Sequence, residues 1–335
     1  MKDTSVERNN GDFLSKDPKP WDGLVWHYTS PEGLAGILQN NVLWATSAAF
    51  LNDTHEFTSG ARHLRRQLRK LTGNDPATNR EIDTRLAEQE IDPSKAFILS
   101  ASRDGDSLTL WRNYGKHAVG YAVGLRPDVP LTPLEVQEGD SHPNPPEGWE
   151  REMLDTPAGP QLAFDPDRPE VTPITHENEQ WFEVVYGGEK RRKILSEEAW
   201  EFIAPTPEAQ KKRTIILPWL SSLLRIKDAG FRDEREVRMG YTAVQPDWKF
   251  LQFRGTQWGL TPYIQLTAAP DDYNAEEAAW GSARHAVKAA KLPISHIRIG
   301  PTPYRKAAKK ALRQLLDMNG YGEVKILNSK TPYRQ

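Results

Sequence analysis

Alternation of apolar and polar positions divides the chain into short strands and a few amphipathic helices. The run Leu24–Thr29 (LVWHYT) is β-rich, and its period of two sets His27 on the face opposite Trp26 and Tyr28. Ser30 then offers an N-cap, Pro31 suits the first helical position, and Leu34, Ile37 and Leu38 keep helical spacing. Asn40 and Asn41 can end that helix in left-handed geometry. VLWAT predicts a second strand, followed by a loop, AAFLNDTHE. Glu56–Leu71 predicts a helix with Phe57, Ala61, Leu64 and Leu68 on one face and Arg62, Arg65, Arg66, Arg69 and Lys70 on the other.

Strands are expected at Ala96–Ser102 and Ala118–Arg126, around a short helix in SLTLWRNYG. Further strands are expected at Phe182–Gly187, Arg235–Val244 and Tyr263–Ala268, then in HIRIG and VKIL. Helices are expected over Glu197–Ile203, Pro207–Lys227, Asn274–Lys291 and Pro303–Met318, the last capped by Thr302 and closed by Gly320. Short strands and helices without strict alternation point to an α+β fold. Between Pro127 and Pro173 stand 11 of the 26 prolines, with many acids and few aliphatic residues. That composition disfavours a packed core and predicts a surface insertion. The expected organisation is one α+β domain over residues 21–335, behind a mobile polar leader at 1–20.

Composition narrows the chemistry. With 335 residues and 37% hydrophobic content, the chain is neither wholly disordered nor collagen-like. A net charge of -2 gives no global electrostatic case for nucleic acid or an anionic membrane. Zero cysteines excludes disulfides, thiolate zinc sites, iron–sulfur clusters and a Cys nucleophile. The first 20 residues hold no apolar core of a signal peptide, and no run approaches a membrane span. The expectation is a cytoplasmic protein with no membrane partner. Motifs for P-loops, dinucleotide folds, zincins, nucleophile elbows and EF-hands are all absent.

Three segments carry candidate chemistry. His27, near a strand's end before a helix, is either a satisfied core histidine or a ligand group whose second ring nitrogen is fixed by backbone. If Phe231–Arg238 is extended, Glu234, Glu236 and Arg238 share one face. Such a carboxylate pair needs cations or ligand hydroxyls to compensate it, unless the run is a solvated edge strand laced with Arg–Glu pairs. Ser100 and Ser102 end an apolar strand, and Trp111 with Tyr114 can wall a flat ring or simply fill the core. Asp53, His55 and Glu56 read first as turn chemistry; a metal-assisted nuclease would use Asp53 and Glu56 with the later glutamates. Gly300–Pro303 reads as a structural turn, since its two prolines remove donors from a phosphate site.

Taken in order, HYTS, LWAT, FLNDTHE, LSAS, LWRNYG, GYAVG, then Lys227 with Phe231, Glu234, Glu236 and Arg238, and finally IGP and SKTPYR resemble one bacterial family, domain of unknown function 2971. More distantly, the opening His27-Tyr28-Thr29 with its helix resembles DarT-type DNA ADP-ribosyltransferases, and Glu234-x-Glu236 is similar to the biglutamate motif of ADP-ribosyltransferases. That resemblance implies a split antiparallel sheet with flanking helices and NAD as cofactor-like substrate in its cleft. It implies His27, Tyr28, Thr29, Ser100, Ser102, Trp111, Tyr114 and Arg238 as binding residues. It also implies a catalytic set of three: Glu236 as the group that steadies the oxocarbenium-like transition state, Glu234 as the one that orients or deprotonates the acceptor, and His27 as the one that holds the nicotinamide-side ribose or adenosine hydroxyls. The activity implied is mono-ADP-ribosyl transfer or NAD glycohydrolysis, of the toxin or phage-defence kind, with the acceptor (protein or nucleic acid) left open. The alternatives are a non-catalytic nucleotide- or partner-binding module of the same fold and the metal-dependent nuclease.

Overall fold

Local signals hold wherever a segment closes on itself. The computed structural model describes residues 23–50, 93–114, 119–136, 181–188, 223–243, 250–271 and 285–331, with backbone stretches at 153–156, 159–162 and 171–173 and a few single positions elsewhere. The expected leader, the loop with Asp53, His55 and Glu56, the helix Glu197–Ile203 and nearly all of the helix Glu56–Leu71 lie outside these residues. In order come β1 (Val25–Thr29), α1 (Pro31–Asn40), β2 (Leu43–Ser47), β3 (Ala96–Ser102), α2 (Leu108–Tyr114), β4 (Tyr121–Leu125) and β5 (Leu131–Pro133). Then follow β6 (Met153–Thr156), β7 (Gly159–Leu162), β8 (Val171–Pro173), β9 (Phe182–Glu183), β10 (Val185–Tyr186) and β11 (Ile226–Lys227). The chain continues through β12 (Glu236–Ala243), β13 (Leu251–Thr256), β14 (Gly259–Ala268), β15 (Ile294–Ile299), α3 (Arg305–Met318) and β16 (Lys325–Asn328). Helix α1 begins and ends as its sequence dictates: the Ser30 hydroxyl accepts from the Gly33 amide, and Asn41 takes φ 56 at the C-cap.

The architecture is α+β, a large and mostly antiparallel sheet with few helices. Its main path runs β13-β14-β2-β3-β1-β4-β15-β16, with β12 on the far edge of β3. Strands β2 and β1 share the near edge of β3. β2 pairs at Thr46↔Ile98 and Ser47↔Phe97, whereas β1 pairs only at Trp26↔Ser102. The two therefore part at the level of Ser100.

Alternation sorts the two faces. Phe97, Leu99 and Ala101 of β3 and Val237, Met239 and Tyr241 of β12 join one core with Leu34, Ile37 and Leu38 of α1 and Leu312 and Leu316 of α3. Each fully buried leucine there contributes about 1.5–3 kcal/mol. The opposite face carries Trp26 and Tyr28 under Leu110 and Trp111 of α2. A Cβ at Gly105 would stand 2.4 Å from the Trp26 ring, so only glycine fits that turn.

Four expectations are corrected. The Pro-rich stretch is not wholly a surface insertion: β5 pairs with β14, and Leu131, Thr132 and Leu134 are buried. Low average hydropathy hid three core residues. The helix expected to reach Lys227 ends earlier, because Ile226 and Lys227 pair in parallel with Val185 and Tyr186. Residues 285–291 of the expected Asn274–Lys291 helix are not helical, and Ala286 bridges Leu134. Thr302 is not the N-cap of α3; that place is Tyr304, whose amide donates to the Thr302 hydroxyl at 3.1 Å.

The closing SKT segment is clasped by one carboxylate. Asp106 Oδ1 accepts from Ser329 Oγ at 2.5 Å and from the Trp111 indole at 2.9 Å, while Oδ2 accepts from the Lys330 amide at 2.7 Å. Burial opposes the charge, and these donors outweigh it, so the Asp106 pKa falls below the usual carboxylate value. Its contribution is present above the unfolded-state pKa and is lost as pH falls through the lower folded value. Asp106→Asn is expected to cost about 2 kcal/mol at pH 7, measured by urea unfolding, with the deficit shrinking below pH 4.

Candidate functional site

The two glutamates meet, though not by strand alternation. Glu234 ends a 3-10 helix (Ala229–Glu234), Arg235 follows in left-handed geometry at φ 45, and Glu236 opens β12. That single reversal, rather than a continuous extended run, turns both carboxylates onto one ammonium. Lys227 Nζ donates to Glu234 Oε2 at 2.6 Å and to Glu236 Oε2 at 2.9 Å. Arg238 donates from Nε to Glu236 Oε1 at 2.8 Å and from Nη2 to Oε2 at 3.0 Å. All four side chains are buried. Two cations offset two anions, the arrangement in which buried charge is tolerated.

The electrostatics are one-sided. Burial alone would raise the Glu236 pKa, but the charges of Arg238 and Lys227 outweigh it and hold the carboxyl at about 2. Burial also works against the Lys227 ammonium; Glu236 and Glu234 outweigh it and push its pKa up. Neither group can exchange a proton near neutral pH. Above them stand partly exposed aromatics. Phe231 lies 4.7 Å from Lys227 Nζ, and Tyr114, raised to about 12 by burial and then by the two glutamates, stays over a third exposed. The Tyr186 hydroxyl accepts from the Glu236 amide at 2.7 Å.

Several residues implied by the resemblance are engaged in holding the fold. Ser102 Oγ donates to the Glu234 carbonyl at 2.6 Å and accepts from the Asp104 amide at 3.0 Å. Tyr28 donates to the Asp104 carbonyl at 2.6 Å and accepts from the Ser107 amide at 2.9 Å. Trp111 packs edge-on to Tyr28 with ring centroids 4.7 Å apart and is buried, so it is core rather than a nicotinamide platform. Half-buried Thr29 lies against the start of α1: a Cβ at Gly33 would collide with its Oγ1. Ser100 pairs across from Arg238 and is half-buried.

His27 does not join the acids. Ser102 is register partner to both Glu236 and Trp26, so alternation sends His27 to the other side of its strand. Its Nδ1 lies 2.9 Å from the Ser100 carbonyl, at the parting of β1 and β2. A carbonyl only accepts, so Nδ1 carries the proton. Burial lowers the ring's pKa; the Ser100 bond opposes this, and the charge of Arg254 adds to it. The ring is therefore neutral at pH 7, and Nε2 is an acceptor rather than the donor that an unperturbed reading suggests. Arg254 is the residue that sequence reasoning missed. Its only signal is an arginine in a turn-flanked β segment, FLQFRGT.

Comparisons with protein-family models, with curated proteins and with solved structures returned no match. Among the described residues, no helix is long and apolar enough to cross a membrane and no three metal-type ligands cluster.

Lys227→Met is expected to cost about 3–5 kcal/mol at pH 7, because it leaves two buried carboxylates facing each other. Glu236 in the native protein stabilises above its ordinary 4.5 and loses that contribution as pH falls toward 2, whereas in the variant one acid takes a proton more readily. Urea melts at pH 7 and pH 4 should thus show the deficit narrowing with acid. Separately, Arg235→Gly should be about 1 kcal/mol more stable than Arg235→Ala, since both lose the side chain and only alanine keeps the left-handed penalty.

Proposed function

We propose that this chain binds an NAD-type nucleotide, with His27 accepting a hydrogen bond from a ribose hydroxyl at the parting of β1 and β2. The observation that carries this reading is the locked tautomer of His27: Nδ1 is held by the Ser100 carbonyl at 2.9 Å, which leaves Nε2 as a fixed acceptor on a half-buried ring. A sugar hydroxyl is the partner that such an acceptor selects, whereas an anion is repelled by its lone pair. The resemblance to ADP-ribosyltransferases supports the choice of NAD and its ADP-ribose portion among sugar ligands.

Binding without turnover is favoured over glycosidic cleavage. Both oxygens of Glu236 are already occupied by Arg238 and Lys227, and the acids and His27 stand on different sides of the strand plane. ADP-ribosyl transfer or NAD glycohydrolysis is the second reading, favoured by the permanently ionised Glu236 beneath Tyr114 and Phe231. In that reaction the bond from ribose C1′ to nicotinamide breaks, and nicotinamide leaves neutral with the electron pair. Oε1 of Glu236, which keeps one lone pair, faces the developing cation. The acceptor oxygen or water then gives its proton to solvent, since a carboxylate of pKa about 2 is too weak a base. The nuclease reading gains nothing here, as Asp53 and Glu56 lie outside the described residues and Glu234 and Glu236 are held by cations.

Melting temperature with added NAD or ADP-ribose, together with chromatography for free nicotinamide, separates the readings. Both ligands should raise the melting temperature, and His27→Phe should weaken each about tenfold, near 1.4 kcal/mol. Nicotinamide release that disappears in Tyr114→Ala and Glu236→Gln would establish the second reading; Tyr114 is included because Glu236→Gln unbalances a buried network. The absence of any thermal response to either ligand would overturn both.

A further inference from the structure

The β13–β14 hairpin and β2 bring one cation onto a pair of aromatic rings. Register partners Tyr263↔Thr46 and Arg254↔Thr261 share a face, and Gln265↔Trp44 lies next along it. The Arg254 guanidinium stands 5.1 Å from the Trp44 ring and 5.8 Å from the Tyr263 ring, and its Nη2 donates to Thr46 Oγ1 at 2.8 Å. The two rings are themselves 4.5 Å apart, tilted by 34°. Tyr263 is buried beneath, while Trp44 is 42% exposed. The stack is closed on the inside and open at Trp44.

Arg254 has no carboxylate ion pair among the described residues, and its buried Nε has no hydrogen-bond partner. A guanidinium drawn part-way out of water without a counter-anion is costly, and a planar fork is the shape that takes phosphate through two parallel bonds.

We infer that Arg254, Trp44 and Tyr263 form a phosphate-and-ring subsite, so that the ligand carries a phosphate and a flat base together rather than being a free nucleoside. This deepens the nucleotide reading of the proposed function and stands independently of His27. The guanidinium takes the phosphate, and the exposed face of Trp44 stacks on the base. None of these three residues is suggested by strand alternation near the ExE pair. They become a cluster only through the pairing of β14 with β2.

Titration calorimetry on the full chain tests it with AMP, adenosine and inorganic pyrophosphate as probes. AMP should bind at least tenfold more tightly than adenosine, and Arg254→Gln should abolish that preference. Arg254→Lys, which keeps the charge and loses the fork, should retain only part of it. Trp44→Ala should weaken AMP and adenosine about tenfold and leave pyrophosphate unchanged. Melting temperatures of the unliganded variants report their folding. Equal affinity for AMP and adenosine in the native protein, or an AMP preference that survives Arg254→Gln, overturns the inference. Failure of the ribose reading has a different signature: AMP binding that depends on Arg254 and is indifferent to His27→Phe.

Discussion

Two carboxylates converge on one ammonium where β12 begins, and the centre of the sheet is organised around that contact. Lys227 reaches the spot because β11 pairs with β10, Glu234 because a 3-10 turn ends there, and Glu236 because Arg235 reverses the chain. Ser102 then fastens the reversal to β3 through the Glu234 carbonyl. Remove the ammonium and buried Glu234 loses its charge partner, while Glu236 is left to Arg238 alone. A dry apolar contact of similar volume could be as stable, so what the ions add is placement. Lys227 on β11 is tied to the end of the 3-10 turn and to the start of β12, where Arg238 of the same strand braces Glu236.

That same contact limits what the acids can do. A buried carboxylate must be saturated, and a saturated carboxylate has little left for a substrate. The tension between architecture and chemistry is visible at Glu236, whose charge is permanent and whose lone pairs are nearly all taken. Two other groups, the His27 imidazole and the Arg254 guanidinium, are in the opposite condition. His27 is neutral with a fixed acceptor, and Arg254 is stacked with no anion among the described residues.

What the sequence made legible follows from range. Helix α1 could be read residue by residue, because Ser30, Pro31 and Asn41 act within a turn of where they stand. β3 was equally plain, as an unbroken apolar run fits a buried strand. The burial of Leu131 and Leu134 was hidden because composition was averaged over a Pro-rich stretch, whereas burial is decided by what β14 offers locally. The grouping of Glu234 with Glu236 was anticipated for the wrong reason: both acids were assigned to a strand, and the real device is one positive φ at a non-glycine residue. The separation of His27 from Glu236 could not be read at all. It depends on Trp26 and Glu236 sharing Ser102 as a partner, a fact of pairing between segments over two hundred positions apart.

The parting of β1 from β2 makes the open groups available. In a continuous ladder the Ser100 carbonyl would accept from a neighbouring strand amide, and His27 would be one more alternating side chain. Because β2 leaves β3 after Ile98 and β1 joins it at Ser102, the carbonyl between them needs a donor, and the imidazole supplies it. That bond fixes the tautomer and leaves Nε2 an acceptor. Burial then keeps the ring neutral, and the charge of Arg254 adds a smaller contribution in the same direction. The fixed tautomer of His27 thus follows from an interruption in backbone pairing, not from any residue type taken alone.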